Sequence, residues 1–253
     1  MNMRCLAAAW VFFLSFAAFA QEEKPKGIVR DMAMELNMGQ LSVSIEGKQS
    51  WLPPASFRLV GTVTYTRLGI NGSMVAVSDG TVVKEYVETL LGPQATKVDL
   101  TRIQQKLPDY EPASDYDPMS YKSLLDQIPD KKILPATEMD GVRVAGYEFR
   151  ALGLGGALIP QSLAILPLPK PEKCRVWISP ADGVLRKTEA EDAGGTVFFT
   201  MTYRNVRTGV DLPAETFTYE FPDGVTPTDI TDLVLGEASP QPVAVPAPAP
   251  ENP

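Results

Sequence analysis

The sequence predicts a mainly β (α+β) fold: a single, highly curved antiparallel sheet that forms an unclosed half-barrel, with short helices covering its concave face. Three observations predict it. Apolar and polar residues alternate with period two through most of the chain, the mark of half-buried strands. Glycine, proline and Asp-Gly pairs interrupt that alternation at short intervals, as hairpin turns do. Only two short stretches have helical spacing instead.

Taken in order, Met32, Met34, Leu36 and Met38 alternate with smaller or polar residues, and Gly39 shifts the parity before Leu41, Val43 and Ile45. That is one bulged strand or two strands joined tightly. After the Pro53-Pro54 break, Phe57, Leu59, Val63 and Tyr65 mark the next strand. Gly72–Val77 follows, then the Asp79-Gly80 turn, then Val82–Val87. Leu100, Ile103 and Leu107 fall on one helical face, and Asp117-Pro118 supplies an N-cap and a first-turn proline ahead of a helix over Met119–Ile128. Strands resume over Gly141–Leu152. The apolar segment from Gly153 to Pro169 is so broken by glycine and proline that it forms neither a long helix nor an internal strand. Cys174–Ser179, Gly183–Glu191, Thr196–Arg207 and Ala214–Phe221 then read as four successive strands of an antiparallel meander. In the second of these, nearly every residue from Arg186 onward is charged, so one face meets water.

The two ends differ from the body. Residues 1–20, with Arg4, an uncharged apolar run and Ala18-Phe19-Ala20, read as a cleaved secretory signal peptide and predict a periplasmic protein. An uncleaved anchor is disfavoured because the run is short for spanning. Residues 239–253, SPQPVAVPAPAPENP, favour extended polyproline geometry and read as a flexible tail, with a docking peptide as the alternative. One domain over 27–235 lies between them. The chain carries a net charge of −8, which gives it no general attraction for phosphate backbones, so no nucleic-acid partner is expected. Beyond the signal, Cys174 is the one cysteine, so no intramolecular disulfide forms, a buried inert thiol is the expectation, and a monomer is expected.

The absence of histidine removes the commonest general base, zinc ligand and triad member. No serine lies in a nucleophile-elbow context and no glycine-rich phosphate loop is present. Asp115/Asp117 and Glu189/Glu191 sit in loop or strand-surface contexts that a solvated face explains. The expectation is a non-enzyme with no cofactor and no metal.

The candidate binding residues come from two strand rows. Phe199, Met201 and Tyr203 share one face of their strand, and Phe217, Tyr219 and Phe221 share one face of theirs. In a meander the rows lie side by side on one apolar surface, which needs a cover or a ligand. Tyr203 and Tyr219, each with a polar tip, are placed near a cavity rim. Leu124, Leu125 and Ile128 on the second helix, with Leu158 and Leu163 in the broken apolar segment, are the lid candidates.

Three motifs add a resemblance. PASFRLVGTVTY followed by VAVSDGTVVKEY, then VWISPADGVLRKTE, then LPAETFTYEFPDGVTPTDI resemble in order the strand, hairpin and terminal-strand signatures of the outer-membrane lipoprotein carrier and receptor family, the LolA/LolB-like proteins. The resemblance runs from about Phe57 to Ile230, with a long gap in the middle. It implies an unclosed barrel with plugging helices and non-catalytic binding of lipid or lipoprotein acyl chains in an apolar cavity, in keeping with outer-membrane biogenesis and transport. It also implies that Arg58 helps to hold a lid closed. The chain departs from the carriers at Val83-Lys84-Glu85-Tyr86, where their tryptophan is missing, and in its expanded 105–137 segment. A divergent relative is therefore favoured over a dedicated carrier. The alternative reading is an envelope regulatory or assembly module that uses the same fold to bind a protein partner.

Overall fold

The computed structural model describes residues 25–39, 41–89, 92–108, 122, 125–126, 128–151 and 168–236. The signal segment, the proline-rich tail, the Asp117-Pro118 cap, and Leu124, Leu158 and Leu163 lie outside the described residues.

The strands are β1 (Gly27–Met38), β2 (Leu41–Leu52), β3 (Ser56–Tyr65), β4 (Ile70–Asp79), β5 (Val82–Thr89), β6 (Gly92–Asp99), β7 (Lys132–Met139), β8 (Val142–Arg150), β9 (Lys173–Ile178), β10 (Leu185–Glu191), β11 (Val197–Val210) and β12 (Thr228–Asp229). The short helices α1 (Leu100–Lys106) and α2 (Thr231–Val234) follow β6 and β12. All the strands join one sheet in the order β12-β6-β5-β4-β3-β2-β1-β11-β10-β9-β8-β7. The two terminal strands do not pair with each other, so the sheet is open. Every pairing is antiparallel except that of the two-residue β12 with β6. β1 lies between β2 and β11, so the first and last long strands knit the two halves of the sheet together.

Period two decides which face is which. Met32, Met34 and Leu36 of β1 stand opposite Gly47, Ile45 and Val43 of β2 and opposite Tyr203, Met201 and Phe199 of β11. The same face continues through Leu59 and Val63 on one side, and through Ala190, Cys174 and Phe149 on the other. These residues belong to one buried apolar cluster, which Leu100, Leu125 and Ile128 also join. This is the inner face. Gly47 of β2 pairs with Gly61 of β3, and the two backbones come unusually close there. A Cβ on Gly47 would come within 2.4 Å of the Val60 carbonyl oxygen, and one on Gly61 within 2.5 Å of the Glu46 carbonyl oxygen. Only glycine permits that approach.

Gly39, at φ +66°, turns the chain from β1 into β2, so the alternation over 32–45 is two strands. α1 matches its spacing: Asp99 caps it by accepting a hydrogen bond from the Arg102 amide, and Leu100 and Ile103 are buried. Leu107 just beyond is exposed. Lys122, Leu125 and Asp126 are helical positions of the second predicted helix. The four-strand meander is corrected at its last member. Ala214–Phe217 forms a short 3-10 turn, and β11 pairs with β1 instead of with 214–221. β6 and β7 have no counterpart among the expected strands. β6 is a string of small and polar residues, and β7 is exposed at most of its positions.

The outer face of β8, β9 and β10 carries a ladder of ions. Arg175 donates from Nε to Glu148 at 2.8 Å, from Nη2 to Glu191 at 2.5 Å and from Nη1 to Glu189 at 3.3 Å. Lys173 donates to the second oxygen of Glu191 at 2.6 Å. The Arg175 hydrogen bond holds the Glu148 carboxyl below the usual range, and the Lys173 hydrogen bond does the same for Glu191. Depressed carboxyl values stabilise the fold fully above the unfolded glutamate value of about 4.3. That contribution is lost as pH falls through the folded values. The melting temperature should therefore drop steeply on acidification below about pH 4.3. Arg175→Met should lower it at neutral pH and flatten that acid limb; an unchanged limb in the variant, followed by circular dichroism, would assign the acid loss to other groups.

Candidate binding face

On β11 the alternation of TVFFTMTYRNV places Phe199, Met201 and Tyr203 together on the inner face, as expected, and each is only 1–2% exposed. Phe198 joins the same cluster because the β10–β11 register slips there: Ala190 pairs with Phe199, and Glu191 with Val197. Leu125 and Ile128 are buried in this cluster, where a cover for the inner face belongs.

Tyr203 is not at a rim. The Arg30 guanidinium carbon lies 3.4 Å from its ring centroid, and its hydroxyl donates to the Met201 sulfur at 3.0 Å. Arg30 of β1 stands opposite a bulge in β11, where Asn205 and Val206 fill the step between the Asp31–Arg204 and Val29–Arg207 pairs, and it donates from Nε to Gln49 Oε1 at 2.6 Å. It is 2% exposed, a cation inside the wall. The stack on an aromatic face and the amide acceptor offset part of its desolvation. Sequence reading passed over Arg30 and Gln49; the one signal was a charge standing two residues ahead of the Met32–Met34–Leu36 row.

Phe217, Tyr219 and Phe221 are corrected. They belong to a strap that crosses the other face of the sheet. Arg58 is in register with Ser50 and Val77, on the side of β3 opposite Phe57 and Leu59. From there its guanidinium donates to the carbonyl oxygens of Thr218 at 2.9 Å and Thr216 at 3.4 Å. Lys84, which pairs with Val77, donates to the Tyr219 carbonyl at 2.7 Å. Phe217 is buried, and Val77 and Tyr86 are buried on that outer face although neither belongs to the inner cluster. Tyr219 meets Phe221 edge to face with ring centroids 5.4 Å apart. Burial pushes the Tyr219 phenol up, with Tyr86 adding to the rise and Arg58 opposing it. Arg58 thus clamps an outer strap, and its hydrogen bonds to the strap lie on the side away from the inner wall.

The hairpin at 178–185 closes on a half-buried ion pair. Arg186, the first residue of the charged run, is buried and donates to Asp182 at 2.5 Å and to the Val184 carbonyl at 3.3 Å. Burial alone would raise the Asp182 carboxyl, but the Val184 amide and Arg186 together hold it below the usual range. Beside this hairpin the inner face opens to solvent through a cavity of about 270 Å³, between Leu125 and Lys131 on one side and Tyr147 and Ile178 on the other. A second, shallow groove of about 460 Å³ lies on the outer face around Asp31, Glu46 and Arg204. Cys174 is buried, and burial pushes its thiol up to about 12, so it is an inert packing group. Among the described residues no group of three or more Cys, Asp or Glu is placed to hold a metal, and no helix is long and apolar enough to cross a membrane.

No protein-family model matches the chain, and no curated protein matches it. Solved structures of similar architecture include LprF from Mycobacterium bovis, at 12% identity and a TM-score of 0.45, covering 77% of this chain and 90% of that one. A conserved protein from Thermus thermophilus is similar at 11% identity and a TM-score of 0.44, covering 83% of this chain and 93% of that one. The complex of Pseudomonas aeruginosa MucA and MucB is similar at 9% identity and a TM-score of 0.37, covering 77% of this chain and 56% of the matched one.

The strap and the wall make separable contributions. Phe217→Ala should cost about 3 kcal/mol of stability through the cavity it leaves. Arg58→Met should cost about 0.5–1.5 kcal/mol, since water reaches the Thr218 carbonyl it releases. Both are read by urea melts. Neither should alter what the inner face binds, and a change in bound ligand in either variant would show that strap and wall are coupled.

Proposed function

We propose that this chain is a non-catalytic envelope protein that binds lipid or lipoprotein acyl chains against the inner face of its open sheet. The observation that carries this reading is the composition of that face. Met32, Met34 and Met201, with Met38 and Met74 at its margin, stand among leucine, valine and phenylalanine side chains on one continuous wall. Hydrocarbon asks for apolar area and adaptable contours, and unbranched thioethers re-pack around it at low cost. The wall is closed by the protein's own residues, so a ligand enters by displacing its cover, at Leu125 and Ile128 beside the 270 Å³ opening. A signal peptide over residues 1–20 and export to the periplasm belong to the same reading.

The test is direct. Protein purified from the periplasm should carry co-purified lipid in native mass spectra. After delipidation, a long-chain fatty acid at about 100 times its Kd should add about 2.7 kcal/mol of stability, seen as a higher melting temperature. A six-carbon acid should add nothing. Clean apo spectra together with no thermal shift would overturn acyl binding. Stoichiometric capture of one envelope protein in that case would establish the regulatory or assembly module instead.

A further inference from the structure

The 270 Å³ opening beside the 178–185 hairpin differs in charge from the wall it leads to. Tyr147 and Ile178 on one side, and Leu125 of the cover on the other, give it apolar contact continuous with the inner cluster. Its other prominent lining groups are ions. Lys122, Leu125 and Asp126 occupy helical positions three and four residues apart, so they share one face, and all three line the cavity. Lys131 comes from the segment ahead of β7, and its ammonium donates to the Ile128 carbonyl at 3.1 Å. Two cations against one anion therefore line this opening, in a chain whose net charge is −8. The groove on the outer face has the reverse balance, with Asp31 and Glu46 against Arg204.

Hydrocarbon asks nothing of a cation, and the tyrosine, isoleucine and leucine contacts already suit it. A charged head is different, because moving it from water onto an apolar wall is costly. It is better left at a mouth that water reaches, beside groups of opposite sign. Resting on the acyl reading, we infer that the ligand is an anionic amphiphile held head outward. Its carboxylate or phosphate sits at Lys122 and Lys131, and its chain passes Leu125 onto the inner wall. The shared chemistry is an anionic oxygen head on a long chain, which a neutral ester lacks. Asp126 opposes that head and limits its affinity. Lys131 stands at the joint between head and cover, since its ammonium also holds Ile128, a residue the chain displaces.

The experiment uses protein purified from the periplasm and delipidated, at about pH 8, where a carboxylic acid is ionised. Hexadecanoic acid, hexadecyl phosphate and methyl hexadecanoate compete for a bound fluorescent fatty acid, and the readout is each anion's affinity relative to the ester. Wild type should hold at least one anion about fivefold or more tighter than the ester, the worth of one or two water-exposed ion pairs. Salt at about 1 M, which screens charges beyond about 3 Å, should remove most of that preference. Tighter binding of the phosphate than of the acid would assign a phosphate head, and the reverse a carboxylate. Lys122→Met keeps an apolar stem, removes the charge and should lower the preference about threefold; Asp126→Asn should raise it by about as much. Lys131→Met should lower it too, and Lys122→Met, at an exposed position, carries the test if the Lys131 variant loosens the cover. Equal affinity of wild type for acid, phosphate and ester, or a preference unmoved in both Lys122→Met and Asp126→Asn, would overturn the anionic head site while acyl binding stands. Failure of every probe to bind wild type would overturn both.

Discussion

A sheet of twelve strands with one apolar face cannot leave that face in water: it must curl over it, cover it, or both. Burial of the inner face is the interaction on which the rest of the structure depends. Each buried leucine, phenylalanine or methionine on it contributes roughly 1.5–3 kcal/mol relative to exposure. That gain is collected only if strands far apart in the sheet face one another. The Gly47–Gly61 pair lets two backbones approach within a distance any Cβ would forbid. A second tie holds the curl: the Asp140 carboxylate, in the β7–β8 turn, accepts a hydrogen bond from the Asn205 amide of β11 at 2.6 Å. That contact reaches past β9 and β10, which lie between β8 and β11 in the sheet order.

The outer face follows from the same constraint. Its two halves are held by different means. On β8–β10, cross-strand ions satisfy one another around Arg175. On β3–β5, the strap lies across the strands and its carbonyls are met by Arg58 and Lys84. A strap in that position has no ladder partner for its backbone. Two cations perform the task a neighbouring strand would otherwise perform, and hydrogen bonds from charged donors are the stronger kind. Phe217, the buried side chain of the strap, stands between Thr216 and Thr218, the two residues whose carbonyls Arg58 holds. The clamp and the buried ring therefore fix the same point of the chain.

The same strap shows where the sequence was legible and where it was not. Period two identified β1 to β5 and β8 to β11 because each has one wet and one dry face. AETFTYEF has the same period for a different reason: an extended segment lying on a surface also alternates between contact and solvent. Periodicity reports contact, and a sheet face produces it as readily as a ladder does, so Phe217, Tyr219 and Phe221 were assigned to the wrong side. β7, an edge strand, and β6, flanked on one side only by the two-residue β12, bury too few side chains to show an alternation. β7 leaves Ile133 74% exposed and carries Pro135, both features of an edge protected against further pairing. The Phe199–Met201–Tyr203 row was readable residue by residue. Arg30 shares the parity of the Met32–Met34–Leu36 row, and its charge is what hides it: nothing in the alternation tells that Gln49 and Tyr203 hold a cation inside the wall.

Arg30 is the sharper clue to what the wall does. A wall meant only for stability gains nothing from a buried guanidinium, because well-packed apolar residues of like volume do as well or better. Keeping one requires a local structure built around it, and the chain provides that in the Gln49 acceptor and the Tyr203 ring. Methionine in the neighbouring positions works against rigid packing, since it specifies a core poorly while accommodating changes of shape. A buried cation with its own acceptor and ring, set beside a compliant methionine row, is more than an inert core requires, and it is the feature of this wall that apolar packing alone does not account for.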